Sequence, residues 1–83
     1  MNRKALLRRL LQGAVQNVSF GDLVNLVEGL GFQLQRKGGS HRLYAHPDVP
    51  EMLNLQEARG EAKPYQIRQL LRLIERYNLR VED

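Results

Sequence analysis

Residues 32–46 read FQLQRKGGSHRLYAH. Two alternating runs flank a pair of glycines. In the first, Phe32 and Leu34 fall on one face, with Gln33 and Gln35 on the other. In the second, His41, Leu43 and Ala45 share a face, and Arg42, Tyr44 and His46 take the opposite one. A period of two marks strands, and Gly38-Gly39 between them marks a hairpin-type turn. The stretch predicts an antiparallel hairpin and sets what its neighbours must cover.

Both flanks carry helical periodicity. Ser19 is a good helix N-cap, and Asp22 lies three residues on, near the positive helix end. Phe20, Leu23, Val24, Leu26, Val27 and Leu30 supply an apolar face, and Gly31 stands where a helix stops, so a helix is predicted over about 20–30. Before it, NRKALLRRLLQGA spaces Leu6, Leu7, Leu10, Leu11 and Ala14 by three and four, with arginines on the other face. Gly13 ends that helix, and QNVS is a connector. After the hairpin, HPDVPE reads as a connection, MLNLQ as a short third strand and EARGEAK as a polar loop. Pro64 suits the first position of a helix whose buried stripe is Ile67, Leu70, Leu71 and Ile74, ending near Tyr77 or Asn78. The expected architecture is α+β: a three-stranded antiparallel sheet with helices packed on one face, in the order α-β-β-β-α, plus an extra N-terminal helix. That order also occurs in double-stranded-RNA-binding folds, although a fold alone does not give a function. The expected division is residues 1–18, an amphipathic helix and connector, and residues 19–83, the main domain.

Composition narrows the class. With 83 residues and 42% hydrophobic content, the chain suits one small domain with a core. It has no cysteine, which excludes disulfides and thiolate metal sites. No apolar run approaches the roughly 18 residues of a membrane span, so the expectation is a soluble cytoplasmic protein. The formal charge of +4 invites a nucleic-acid reading, but its distribution weakens it. The excess sits in Arg3, Lys4, Arg8 and Arg9, and the remaining charges cancel.

The only two histidines are His41 and His46. Five residues apart on a strand, they face opposite ways, and no further ligands suggest a metal or cofactor site. They lie roughly 16 Å apart along an extended strand, so they do not form an acid–base pair. Ser40 and His41 are adjacent and diverge, which argues against a nucleophilic triad. No glycine-lysine-serine or threonine element makes the turn a P-loop. What remains is His41 acting alone, or His41 as an ordinary strand residue beside a turn. An imidazole exchanges protons near neutral pH. Cleaving RNA through its own 2′-hydroxyl needs a proton acceptor, a donor and positive charge at the phosphate. Lys37 and Arg42 are the first candidates for that charge, followed by Arg36 and Lys63. His46 reads as structural, and Tyr44 as a sheet-packing residue rather than a base-stacking one.

SFGDLVNLVEGLGFQLQRKGGSHRLYAHP, followed by NLQEARGEAKPYQIRQLLRLIERYNL, resembles the HicA (YcfA-like) family of small toxins. The likeness covers about residues 19–79. It rests on Leu30-Gly31-Phe32, the Gly39-Ser40-His41 triplet after a basic strand, His46-Pro47 and the amphipathic last helix. The resemblance implies a double-stranded-RNA-binding-like fold and the toxin role in a type II toxin–antitoxin system. It further implies mRNA cleavage, or at least RNA binding, and a HicB-like antitoxin as partner; the cleavage expected is metal-independent, because attack by the 2′-hydroxyl needs no metal. It makes His41 the catalytic residue, with Gly39 and Ser40 shaping the turn that presents it. Non-catalytic RNA binding on the same fold is the alternative. Three features depart from the family: the helix in residues 1–18, the proline-rich acidic connection before Asn54, and Glu61 where a basic residue is expected. The added helix could contact RNA, cover the sheet or make a homodimer.

Overall fold

The hairpin forms as its alternation demands. In a computed structural model that describes residues 2–82, β1 (Gln33–Gly38) pairs antiparallel with β2 (His41–His46). Gly38 is the partner of His41, so the two-residue turn is Gly39-Ser40, one position later than the Gly-Gly pair suggests. Gly39 has φ +57° and Ser40 does not share the positive sign. Positive φ at the first central residue only is the pattern of a type II′ turn, which favours glycine there.

The sheet continues as a meander, β1-β2-β3-β4, with every neighbouring pair antiparallel. β3 (Val49–Ala58) is longer than MLNLQ. It starts inside the proline-containing connection, with Val49 paired to His46. Pro50 is tolerated because the ladder is irregular there, between Tyr44 and His46. The segment read as a polar loop is itself a hairpin. Ala58 pairs with Glu61, and the turn residues Arg59 and Gly60 both have positive φ, 55° and 79°. That is the requirement of a type I′ turn, and it yields the two-residue β4 (Glu61–Ala62). The sheet thus has three long strands, as expected, and a short fourth.

The helices follow their caps. α1 (Arg3–Leu11) starts at Asn2, whose side chain accepts from Ala5 N–H. α2 (Phe20–Gly29) is capped by Ser19. α3 (Pro64–Tyr77) begins at its proline and ends at Asn78 in the left-handed conformation. One sheet face is buried. Tyr44, Leu53 and Leu55 pack with Leu23, Leu26 and Val27 of α2 and with Ile67 and Leu70 of α3. Leu43, Asn54 and Met52 alternate onto the other, open face and are not buried. All six β1 residues are exposed, so the helical layer stops short of that edge. α1 lies against α2 and α3, and Leu6 and Leu10 join the same core.

One buried polar residue closes the other sheet edge. β4 pairs with β3 only at Glu57 and Ala58. The next β3 donor, Gln56 N–H, gives its hydrogen bond to Gln66 Oε1 on α3 at 2.9 Å. Gln66 is buried, and a buried donor left unpaired there would cost about 1–3 kcal/mol.

Candidate nucleic-acid interface on the open sheet face

The two histidines have different surroundings. His46 is part of the frame. Its Nδ1 accepts from Asp48 N–H at 3.0 Å, so Nε2 carries the proton and donates to the Leu30 carbonyl, also at 3.0 Å. That carbonyl belongs to the α2 C-cap, where helix oxygens lack intrahelical donors. The ring also meets Phe32 edge-on, with centroids 5.1 Å apart. Gly31, at φ +100°, leaves room for it: a Cβ there would lie 2.9 Å from His46 Nε2. His46 therefore ties the end of β2 to the end of α2, as its structural reading expects.

His41 is exposed. It opens β2 directly after the Gly39-Ser40 turn. Its ring has no hydrogen-bond partner among the described residues. With Arg36, Gly38, Leu43 and Asn54 it lines a shallow concavity of about 230 Å³ on the open face. Glycine at 38, opposite His41 in the pairing, puts no side chain beside the imidazole. Arg36 is the diagonal neighbour on β1, and diagonal positions lie about 7–8 Å apart, within reach of a long side chain.

Across the sheet in the other direction, His41 is paired with Gln56 on β3. Gln56 Oε1 accepts from Lys63 Nζ at 3.1 Å. Lys63 is the N-cap residue of α3, whose first turn carries no acid. The open face thus bears a row of Gly38, His41, Gln56 and Lys63, with Arg36 at its corner. The α3 N-terminus adds positive potential at the Lys63 end.

Lys37 and Arg42 belong elsewhere. They are cross-strand partners of each other, and Arg42 pairs with Leu55, a core residue. Both therefore lie on the helix-facing side of the sheet. The Arg42 guanidinium sits 5.4 Å from the Phe20 ring centroid, a cation–π contact. Of the four basic residues singled out in the sequence, Arg36 and Lys63 share the His41 face and the other two do not. Gly39 and Ser40 shape the turn, and Ser40 also accepts from Glu57 N–H through its carbonyl. Tyr44 is fully buried, as a packing role requires, and is out of reach of a base.

Asn54 and Gln56 also lie on this face and are not among the candidates that the sequence singles out. The alternation of Leu53 and Leu55 in MLNLQ already placed both on the open face. Nothing in the sequence aligned that strand with His41. Glu61, the acid before α3, pairs with Ala58 and bridges to Ser19 at the outer edge of β4.

No three His, Cys, Asp or Glu side chains cluster with metal-site geometry among the described residues. None of their helices is long and apolar enough to cross a membrane. A second acid–base cluster links the sheet to α3: the Tyr77 hydroxyl donates to Glu51 Oε1 at 2.5 Å, and Arg76 lies 3.6 Å from Oε2. The Tyr77 hydrogen bond holds Glu51 below its ordinary range, with a smaller push from Arg76. The same bond raises the Tyr77 phenol. This cluster staples the structure on the α3 side, away from the row.

Comparison with known proteins agrees with this architecture. Residues 20–75 match the family described as the HicA toxin of bacterial toxin–antitoxin systems. That span runs from the start of α2 to the last turn of α3 and holds the whole His41 row. Comparisons with curated proteins and with solved structures gave no match. The matched span covers more than half of the chain, and the chain belongs to the HicA toxin family.

Proposed function

We propose that this protein is the toxin of a type II toxin–antitoxin pair and cleaves mRNA in the cytoplasm, with His41 as the proton-transfer residue. The observation that carries the reading is the placement of His41. It is exposed on the open face of the sheet, at the mouth of a glycine turn, between Arg36 and the Lys63 end of α3. The family match makes a toxin that is generally a ribonuclease the coarse expectation.

The row suits in-line attack by a 2′-hydroxyl. His41 takes the 2′-hydroxyl proton as the oxygen attacks phosphorus. The P–O5′ bond breaks and solvent water protonates the leaving oxygen, giving a 2′,3′-cyclic phosphate and a 5′-hydroxyl. Arg36 and Lys63 bind the phosphate from two sides, where negative charge builds in the transition state. Gly39 lets the backbone approach the strand closely, with Ser40 beside it. Lys37 and Arg42 contact flanking phosphates around the hairpin tip, beyond the reacting one. None of these steps calls for a metal, so chelator should not abolish cleavage.

A HicB-like antitoxin would neutralise the toxin by covering the open face. The concavity, with Leu43 on its floor, is what it would occlude.

A second reading has one observation in its favour. The His41 ring lacks a partner to orient it, whereas acid–base histidines are usually positioned by a second group. On that reading the face binds RNA without cutting it. The test is incubation of purified protein with a long single-stranded RNA plus chelator, beside His41→Ala. Cleavage by the parent alone supports the toxin reading. Salt-sensitive binding without cleavage supports the binding module.

A further inference from the structure

A groove runs between α1 and the chain that follows α3, on the side of the molecule built by helices. Leu7 and Leu11 form one apolar wall, and Leu79 and Val81 form the other. Lys4, Arg8 and Arg80 complete the lining, and among the described residues no acid lines it. Its volume is about 530 Å³, within the roughly 300–1,000 Å³ of typical ligand clefts. Leu11 is 63% exposed, an unusual state for a leucine next to three further apolar residues. Both walls stand outside residues 20–75, the span that carries the family match.

The groove is braced from beneath. Arg3 Nε donates to Asn25 Oδ1 at 3.0 Å, and the Arg3 side chain crosses Gly29, where a Cβ would meet its Cδ at 2.5 Å. These contacts seat α1 on α2. On the other side, Glu82 N–H donates to the Gly29 carbonyl at 2.8 Å, and Leu79 N–H to the Ile74 carbonyl at 3.0 Å. Those bonds seat the second wall on α2 and α3. A groove fixed on both sides needs little ordering when it is filled.

We infer that this groove docks an acidic amphipathic segment of a partner protein, with apolar residues three and four apart and Asp or Glu beside them. The argument is complementarity of both kinds. Apolar walls accept the i, i+3, i+4 side chains of a helix laid in a groove, and the basic lining selects acids over bases. Other occupants fit less well. A second copy of this chain would meet the groove through the same surface in a two-fold contact. It would then set the basic lining of one copy against the same basic lining of the other. Single-stranded RNA would find no aromatic ring to stack on. A lipid surface needs a broad apolar helix face, whereas α1 turns Leu6 and Leu10 into the core. This inference does not depend on whether His41 cleaves RNA.

The probe is a synthetic peptide of about 14 residues, long enough to be helical when bound, with leucines at i, i+3, i+4 and i+7 and glutamates between them. A second peptide carries lysine for each glutamate. Each is titrated into the full chain at low salt, with affinity by calorimetry and location by backbone amide shifts. Binding of the acidic peptide alone, with shifts centred on residues 4–11 and 79–81, is the expected result. Leu11→Asp and Arg8→Glu should each weaken it at least tenfold with unchanged circular dichroism. No binding, equal binding of the lysine peptide, or shifts centred on His41 would overturn the proposal. So would a dimer in sedimentation that Leu11→Asp dissolves, which would assign the groove to a second copy. Binding to anionic vesicles in preference to the peptide would assign it to lipid.

Discussion

Substituting His46 should unfold the protein more readily, whereas substituting His41 should not, and the geometry sets the size of the difference. His46→Ala removes the hydrogen bond to the Leu30 carbonyl, which is partly buried and worth about 1–1.5 kcal/mol. The bond from Asp48 N–H is exposed, and water replaces much of it, so it adds about 0.5 kcal/mol. Loss of the edge contact with Phe32 adds roughly 0.5–1.5 kcal/mol. Together these give about 2–3.5 kcal/mol, or a fall in Tm of roughly 8–28 °C for a domain of this size. His41→Ala, at an exposed position without a partner, should stay within about 0.5 kcal/mol of the parent. Gly31→Ala provides the cross-check. It imposes the strain of φ +100° on alanine, about 1–2 kcal/mol, and its Cβ pushes the His46 ring off the carbonyl. In the His46→Ala background only the strain remains, so the two substitutions should couple by about 1–2 kcal/mol. Urea unfolding followed by circular dichroism measures the parent and the four variants. Additivity within about 0.5 kcal/mol, or an equal loss from His41→Ala, would refute the assignment of His46 to the frame.

Three further outcomes follow from the structure. Arg36→Ala and Lys63→Ala should slow RNA cleavage more than Lys37→Ala or Arg42→Ala, because only the first pair shares the His41 face; initial rates on one labelled RNA rank the four. Gln66→Ala should cost about 2–4 kcal/mol, since it orphans the Gln56 N–H and opens space in a buried site, as urea unfolding would record. The Tyr77–Glu51 pair sets a pH dependence. Glu51 titrates below its ordinary value of 4.5 when folded, so its contribution is present above that pH and is lost as pH falls through the lower folded value. Tyr77 is raised above 10.0, so its contribution is present below that pH and is lost as pH rises through the higher folded value. Tyr77→Phe should flatten both limbs of a plot of Tm against pH.

The elements with strong local signals were legible in the sequence. Ser19, Gly31, Pro64 and Asn78 mark helix ends by their own chemistry, and the two faces of residues 41–46 follow from a period of two. β4 was not legible as a strand. Its two residues carry no period, and its formation depends on Arg59 accepting positive φ and on residues 18–20 lying alongside it. The start of β3 was hidden by Pro47 and Pro50, whose ordinary meaning is a break.

The site was half legible, for a related reason. Alternation places His41 on a face, but only the pairing register shows what stands beside it. Sequence proximity favoured Lys37 and Arg42, the basic residues nearest the turn. The register sends both to the helix side. Lys63, 22 positions further along the chain than His41, joins the row through Gln56. A bulge between Leu34 and Arg36 shifts the β1 register, and it is what brings Arg36 onto the His41 face. Without that irregularity, alternation from Leu34 would have turned Arg36 toward the helices.

The most direct test of the account is cleavage of a long single-stranded RNA, with chelator present, by the parent protein and by His41→Ala shown to be folded. The account requires cleavage by the parent, with 2′,3′-cyclic phosphate ends, and a loss of at least a hundredfold in His41→Ala, the lower bound for removing a proton-transfer group. Equal cleavage by both proteins, or none by the parent, would contradict it.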